Sequence, residues 1–256
     1  MRFTVLASSS KGNATVISGG NTHLLVDTGI SALRIRKGLE ECELGIGQID
    51  ALLFTHEHTD HICGLGQLAK QAPLPIYCTR YMGQELRPVA PNAVFTYLEP
   101  GSPVQIGDIS VTPFSVSHDA TDPVGYLFQY GNKKLGYITD TGKIPRGVPE
   151  MMQGVDALYL ESNYDPAMLR NSGRPLYLIE RIASNFGHLS NEQACEFVRS
   201  IAHSGLQHLV LAHLSQDCNT PQAATACMQQ TLTELQLNTT LHCAPAAHRL
   251  PWVHIS

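Results

Sequence analysis

No apolar run in this 256-residue chain approaches the roughly 20 residues that a membrane span needs, so no membrane partner is expected. The start Met1-Arg2-Phe3-Thr4-Val5-Leu6 reads as a strand and not as a signal peptide, which makes a cytoplasmic location the expectation. No Cys-x-x-Cys pair occurs among the seven cysteines, scattered at 42, 63, 78, 195, 218, 227 and 243. That odd set argues against a disulfide framework and a thiolate zinc knuckle, and the thiols read as reduced. Cys63 is expected to be a buried structural thiol. There is also no basic excess. The formal charge is −5, so any affinity for a polyanion has to be local. Lys143, Arg146, Arg170, Arg174 and Arg181 are either a helper set for phosphate or ordinary solvated cations. Linkers and low-complexity tracts are missing too, and one domain over residues 1–256 is the economical reading.

What the chain does have is His56-Glu57-His58-Thr59-Asp60-His61, directly after the apolar run Leu52-Leu53-Phe54. A hydrolytic zinc site uses three protein ligands and leaves a fourth place for water, so four candidate ligands in six residues point to two metals. If the strand stays extended to its end, His56 and His58 share a side and Glu57 points away, which removes Glu57 from the ligand set. Three further apolar runs each end in a ligand-type residue: 113–118 at His118, 135–140 at Asp140, and 209–213 at His213.

Strand-like runs are predicted at 2–7, 14–18, 23–27 and 51–54, with Gly19-Gly20-Asn21 as a hairpin signal. Helical patterns cover 31–39, 65–71 and 81–87, and strands dominate from 93 to 137. Strands at 157–160 and 208–212 then alternate with helices at 174–185, 191–204 and 221–235. Ser190 with Gln193 three positions on forms a capping-box pattern that sets a helix N-terminus beside His188. Residues 8–13, rich in Ser, Gly and Asn, form a small-residue turn that either lets backbone approach phosphate or is an ordinary hairpin turn.

His-x-His-x-Asp-His followed by an isolated His, an Asp and a last His resembles the metallo-β-lactamase fold superfamily. Leu25-Val26-Asp27-Thr28-Gly29 resembles its early strand and turn. The segments Ala7-Ser8-Ser9-Ser10-Lys11-Gly12-Asn13-Ala14-Thr15, Ser117-His118-Asp119-Ala120, Asp122-Pro123-Val124-Gly125-Tyr126, Glu161-Ser162-Asn163 and Gly187-His188-Leu189-Ser190-Asn191 resemble its YycJ/WalJ-like branch, related to phosphodiesterase and nuclease members. The resemblance implies an α+β fold, a four-layer αββα sandwich with metals along one edge. It assigns His56, His58 and His118 to one metal, Asp60, His61 and His213 to the other, and Asp140 as the bridge. Two divalent ions are implied, zinc first, with manganese or iron accepting the same ligands. Asp27 is carried over as a structural carboxylate tying the early turn to the metal loops.

Paired metals about 3.5 to 4 Å apart generate a bridging hydroxide near neutral pH and clamp phosphate oxygens. Asp60 is expected to orient that hydroxide, His188 to protonate the leaving oxygen, and Glu161 to hold the other ring nitrogen of His188. The leading expectation is a phosphodiesterase acting on nucleic acid, DNA ahead of RNA, with 5′-to-3′ exonuclease action implied by the branch. A small cyclic phosphodiester is the second substrate, and thioester or lactam hydrolysis is another enzyme class that needs no leaving-group acid. A nonenzymatic metal-binding module comes last. Protein partners, oligomeric state and strand preference have no signal in the sequence.

Overall fold

The computed structural model describes residues 1–72 and 74–256. Two seven-stranded mixed sheets carry the architecture. The first contains β1 (Arg2–Ala7), β2 (Ala14–Gly19), β3 (Thr22–Val26), β4 (Ala51–Leu53), β5 (Ile76–Thr79) and β6 (Phe95–Leu98). The second contains β7 (Val104–Ile106), β8 (Ile109–Ser115), β9 (Val124–Tyr130), β10 (Lys133–Ile138), β11 (Ala157–Glu161), β12 (His208–Ala212) and β13 (Thr240–Cys243). A last strand, β14 (Val253–His254), returns to the first sheet beside β1, giving the order β14-β1-β2-β3-β4-β5-β6 against β13-β12-β11-β10-β9-β8-β7.

Each sheet begins as an antiparallel meander, β1-β2-β3 and β7-β8-β9-β10, and continues as parallel strands, β3 to β6 and β10 to β13. Parallel neighbours need crossovers, and helices supply them. In the first half these are α1 (Ala32–Glu40), α2 (Thr59–Ile62), α3 (Leu65–Gln71) and α4 (Arg80–Leu86). In the second half they are α5 (Val148–Met151), α6 (Pro166–Arg170), α7 (Leu176–Ile182), α8 (Asn191–Ile201) and α9 (Pro221–Glu234). The tight β2–β3 connection holds Gly20 at φ +59°, the left-handed value that a primed hairpin turn requires. Ser31 caps α1 and Ser190 caps α8, the latter through the capping box with Gln193.

Layering follows from the strand period of two. Tyr137, Ala157, Tyr159, Val210 and Ala212 belong to the core between the sheets, while Ile138, Leu158, Leu160, Leu209 and Leu211 belong to a second core shared with Phe197, Val198, Met228 and Leu232 of α8 and α9. The expected α+β sandwich is therefore present, with helices packed on the outer face of the second sheet. Buried hydroxyls bind the sheets across the first core: Tyr126 donates to the Phe54 carbonyl, and the Tyr159 hydroxyl lies 2.8 Å from Ser8 Oγ. No described helix is long and apolar enough to cross a membrane.

Two local expectations are corrected. The pattern over 174–185 gives only α7, Leu176–Ile182, because Pro175 occupies its N-cap and the chain turns again at Ser184. The second concerns the premise alone: β4 stops at Leu53, before the histidine cluster, yet His56 and His58 come together and Glu57 turns away, as expected. His58 is extended at the N-cap of α2, and the turn that follows folds back.

That fold-back is tied to the early turn by short backbone bonds: Asn13 N to Asp60 O at 2.9 Å, Thr28 N to His61 O at 2.7 Å, and Gly29 N to Asn13 O at 2.7 Å. A Cβ on Gly29 would collide with the Asp60 carbonyl oxygen and stand 2.7 Å from the Asn13 amide nitrogen. Gly29→Ala is expected to cost about 3 kcal/mol of stability by overpacking. Urea unfolding checks this, and a loss below about 1 kcal/mol would show that the turn is not pinned there.

Candidate metal centre

The sequence-predicted ligands converge at the edge where the parallel strands have their carboxyl ends, joined there by His118 from the end of the antiparallel strand β8. Asp27 follows β3, the His56–His61 segment follows β4, His118 follows β8, Asp140 follows β10, Glu161 ends β11 and His213 follows β12. Asp27, Asp140 and His213 have φ of +59°, +51° and +53°. Asp and His tolerate this left-handed region better than branched residues do, and three such residues at strand exits turn the chain sharply so that the side chains point inward.

Side-chain atoms of His56, His58 and His118 lie within 4.8 Å of one another, as do those of Asp60, His61 and His213. A third group, His56, His61 and Asp140, overlaps both. Asp140 lies between the first two groups, with Oδ2 3.2 Å from His61 Nε2 and Oδ1 3.3 Å from His213 Nδ1 and 3.7 Å from His118 Nε2.

The rings are held from outside. His61 Nδ1 is 2.8 Å from Asp27 Oδ2, His118 Nδ1 is 3.0 Å from the Gly187 carbonyl, and His213 Nδ1 is 2.9 Å from Glu161 Oε1. In each case an oxygen outside the cluster faces Nδ1, an arrangement that favours a proton there and turns Nε2 toward the cluster, as a metal ligand needs. Asp27 is itself fixed by the amide and hydroxyl of Thr55, both at 2.9 Å. His56 Nε2 is buried without a hydrogen-bond partner. A buried, unanswered ring nitrogen among three other imidazoles is what a cation would satisfy. The donor set fits two divalent ions.

Charge distribution agrees. Burial pushes His56 well below its ordinary pKa. Burial opposes charge on His61 and His213 as well, but Asp27 and Asp140 raise His61 well above its usual value, and Asp140, Asp60 and Glu161 raise His213 to about 10. Asp140 is buried, which works against ionisation, yet His213 and His61 hold it well below the carboxylate range. Burial lowers His118 as well, so the rings divide: His61 and His213 favour the protonated form beside the carboxylates, whereas His56 and His118 favour the neutral one.

His188 stands beside this network. Glu161, fully buried, receives His188 Nδ1 at 2.8 Å on the same oxygen that meets His213, while its other oxygen accepts the Thr141 and Leu189 amides at 3.0 and 3.2 Å. Burial lowers the His188 pKa, Glu161 raises it, and the net direction is up. Asp140, Glu161, His188 and His213 form a fourth compact group, but Glu161 Oε1 already engages Nδ1 of both rings. We read that group as an orienting network. The cleft in front, about 200 Å³, is lined by Asp60, His118, Asp140, His188 and His213.

Other expectations fare differently. Glu57 turns away and accepts the Thr121 amide at 2.7 Å. Cys63, expected to be buried, is exposed: two residues past His61 on a helical turn it lies on the opposite side. Lys143 and Arg146 line a separate cavity, and Arg170 is exposed at the end of α6. Arg181 does line the cleft, paired at 2.6 Å with Asp119, a cleft residue that the sequence offered only as part of the Ser117–Ala120 segment and with no role. The 8–13 turn acts as a brace, with Ser8 Oγ 2.8 Å from the His213 amide and Asn13 Nδ2 3.1 Å from His61 Nε2.

The β-lactamase superfamily domain matches residues 22–214. Among curated proteins, exodeoxyribonuclease YycJ of Bacillus anthracis is 36% identical over 91% of this chain and 90% of its own length. Exodeoxyribonuclease WalJ of Streptococcus pneumoniae is 31% identical over 92% and 90%. Among solved structures, the metallo-β-lactamase fold protein YhfI of Bacillus subtilis superposes with a TM-score of 0.75 over 97% of this chain and 98% of that one, at 17% identity.

The charge network fixes a pH response of opposite sign with and without cations. Raised imidazole pKa values stabilise the metal-free protein fully below the ordinary 6.5, and that contribution is lost as pH rises, for His213 through about 10. Lowered Asp60, Asp140 and Glu161 contribute above their ordinary 3.8 to 4.5 and lose that contribution as pH falls further. Lowered His56 and His118 work the other way from the raised rings and cost stability as pH falls below 6.5. Chelator-stripped protein is therefore expected to have its highest Tm near about pH 6.5 and to weaken toward pH 10, while the gain in Tm on adding divalent cation grows over the same range because binding displaces protons. Thermal unfolding from pH 5 to 10 with and without chelator tests this, and parallel curves would refute it.

Proposed function

The chain belongs to the β-lactamase superfamily, and from that footing we propose that it is a two-metal phosphodiesterase that degrades DNA from the 5′ end. The observation that carries the reading is the His188–Glu161 pair set beside the ligand groups at 2.8 Å. Thioester and lactam hydrolysis have no need of a separate acid, whereas a sugar alkoxide leaves slowly unless it is protonated. The two relatives named exodeoxyribonuclease cover about nine tenths of the chain and support DNA ahead of RNA.

In this reading His56, His58 and His118 hold one cation, Asp60, His61 and His213 the other, and Asp140 contributes to both; zinc is proposed, with manganese and iron served by the same donors. When bound, such ions supply positive charge for phosphate oxygens and acidify an attacking water. The protein's residues do the rest. Asp60, partly open to the cleft, accepts a hydrogen bond from the attacking water and fixes its direction. Glu161 favours the protonated ring of His188 and orients it through Nδ1, leaving Nε2 to give a proton to the departing oxygen. Arg181, at the cleft wall, is placed to exchange Asp119 for a phosphate oxygen. The chain is proposed to act as one domain, in the cytoplasm, where scattered thiols stay reduced. The acidic balance makes a small cyclic phosphodiester the second substrate.

His188→Ala is expected to lower kcat on DNA by about 10²- to 10⁴-fold while metal analysis still finds both cations. The loss should be smaller on an aryl phosphodiester, whose phenolate departs without a proton, and Glu161→Gln should follow the same pattern. Equal turnover by His188→Ala and the unsubstituted protein would remove His188 from the mechanism.

A further inference from the structure

The cleft does not end at His188. A second cavity of about 320 Å³ shares Ser10, Ile182 and His188 with it and continues between the 8–13 turn, the start of α7 and the segment after His213. Its character is different. The cleft proper is lined by Asp60, Asp119 and Asp140 against Arg181, whereas the extension is lined by Lys11 and Arg174 against one carboxylate, Asp217, with Asn163, Ser215 and Gln216 as neutral hydrogen-bonding groups. Lys11 is exposed, and Arg174 meets Asp217 at 2.8 Å. In a chain of net charge −5, this groove is a local cationic spot in contact with the reaction centre.

We propose that this extension is a second phosphate subsite, which holds the neighbouring phosphate of the same nucleic-acid strand on the leaving-group side. The inference rests on the phosphodiesterase reading above. If His188 protonates the departing oxygen, whatever is attached to that oxygen has to continue past His188, and the open space there is the Lys11–Arg174 groove. A single sugar joins consecutive phosphates, so a strand with its scissile phosphate at the metal centre brings another phosphate to this wall. A small cyclic phosphodiester has no such continuation. The groove therefore selects polymer over small ester, which the metal cage alone does not. Asp217 works against it by occupying Arg174, so the subsite has both an attractive and a restraining charge.

The experiment compares metal-loaded unsubstituted protein, the Lys11→Gln/Arg174→Gln double variant and Asp217→Asn on a single-stranded oligodeoxynucleotide and on bis(p-nitrophenyl) phosphate. Binding of a fluorescent oligonucleotide is followed in parallel over a range of salt. For the double variant the ratio of kcat/KM on oligonucleotide to kcat/KM on the small ester is expected to fall about tenfold or more, mainly through KM, as expected for loss of charge-assisted contacts. The log–log salt slope of binding should shrink by roughly 0.7 for each phosphate contact removed. Asp217→Asn should move the ratio the other way. An unchanged ratio, or a salt slope equal to that of the unsubstituted protein, overturns the subsite while leaving the phosphodiesterase reading in place. Failure of the unsubstituted metal-loaded protein to cleave either ester overturns that reading and this one with it.

Discussion

Ring nitrogens and carboxylate oxygens buried together at the edge of two sheets are costly unless each is answered, because a polar group removed from water without a partner destabilises the fold. Here the answer comes in two shells. The outer one is made of protein: Asp27 for His61, the Gly187 carbonyl for His118, Glu161 for His213 and His188, and Thr55 for Asp27. The inner one is left to charge, since Asp140 and Asp60 face protonated rings and His56 Nε2 has no partner. A pair of cations would complete what the outer shell prepares. Glu161 links the two tasks, because one oxygen orients both a proposed metal ligand and the proposed acid while the other is held by two amides.

The sheets explain how residues from 27 to 213 meet. Both switch from an antiparallel meander to parallel strands, and parallel strands all end at the same edge. The left-handed backbone at Asp27, Asp140 and His213 then bends three exits toward one point. Such conformations persist only where the surroundings determine them, and here the neighbouring contacts do: Asp27 N bonds to Leu53 O at 2.8 Å and the His213 amide meets Ser8 Oγ at 2.8 Å. The cross-sheet hydroxyls of Tyr126 and Tyr159 keep the two edges in register at that place.

The residues that meet at the cluster were legible in the sequence because metal chemistry restricts residue type and because each follows an apolar run. The sandwich was legible for a related reason: strands such as Ala157–Glu161 and His208–Ala212 are apolar on both faces, which marks strands covered on both sides. What failed was local. The strand assumed to run on to the histidines ends at Leu53, although His56 and His58 do come together and Glu57 turns away as alternation requires. Cys63 was misplaced because its exposure depends on the helical phase of a single turn. Asp119, Arg181 and Gly187 each stood in a segment singled out from the sequence, but the Asp119–Arg181 pairing and the Gly187 carbonyl's contact with His118 had no signal, since both depend on α7 and the following turn folding over the cleft, a long-range contact that no local pattern encodes.

An acidic chain that acts on a polyanion presents an apparent conflict, and the charge layout resolves it. Nucleases that recruit substrate with a basic surface hold their affinity in the protein alone. In this chain the cleft as built sets Asp60, Asp119 and Asp140 against Arg181 and the raised His188 and His213, so its charges largely answer one another and little is left over for a phosphate. Two divalent ions would add the missing positive charge, since bound cations are the largest charges in such a site. Attraction would then be confined to a loaded centre and to the short run of protein cations beside it, Arg181 on one side and Lys11 with Arg174 on the other. Nucleic acid would then be drawn to the reaction centre ahead of the rest of the molecule, so an overall charge of −5 would disfavour unproductive binding along a strand without weakening the productive contact.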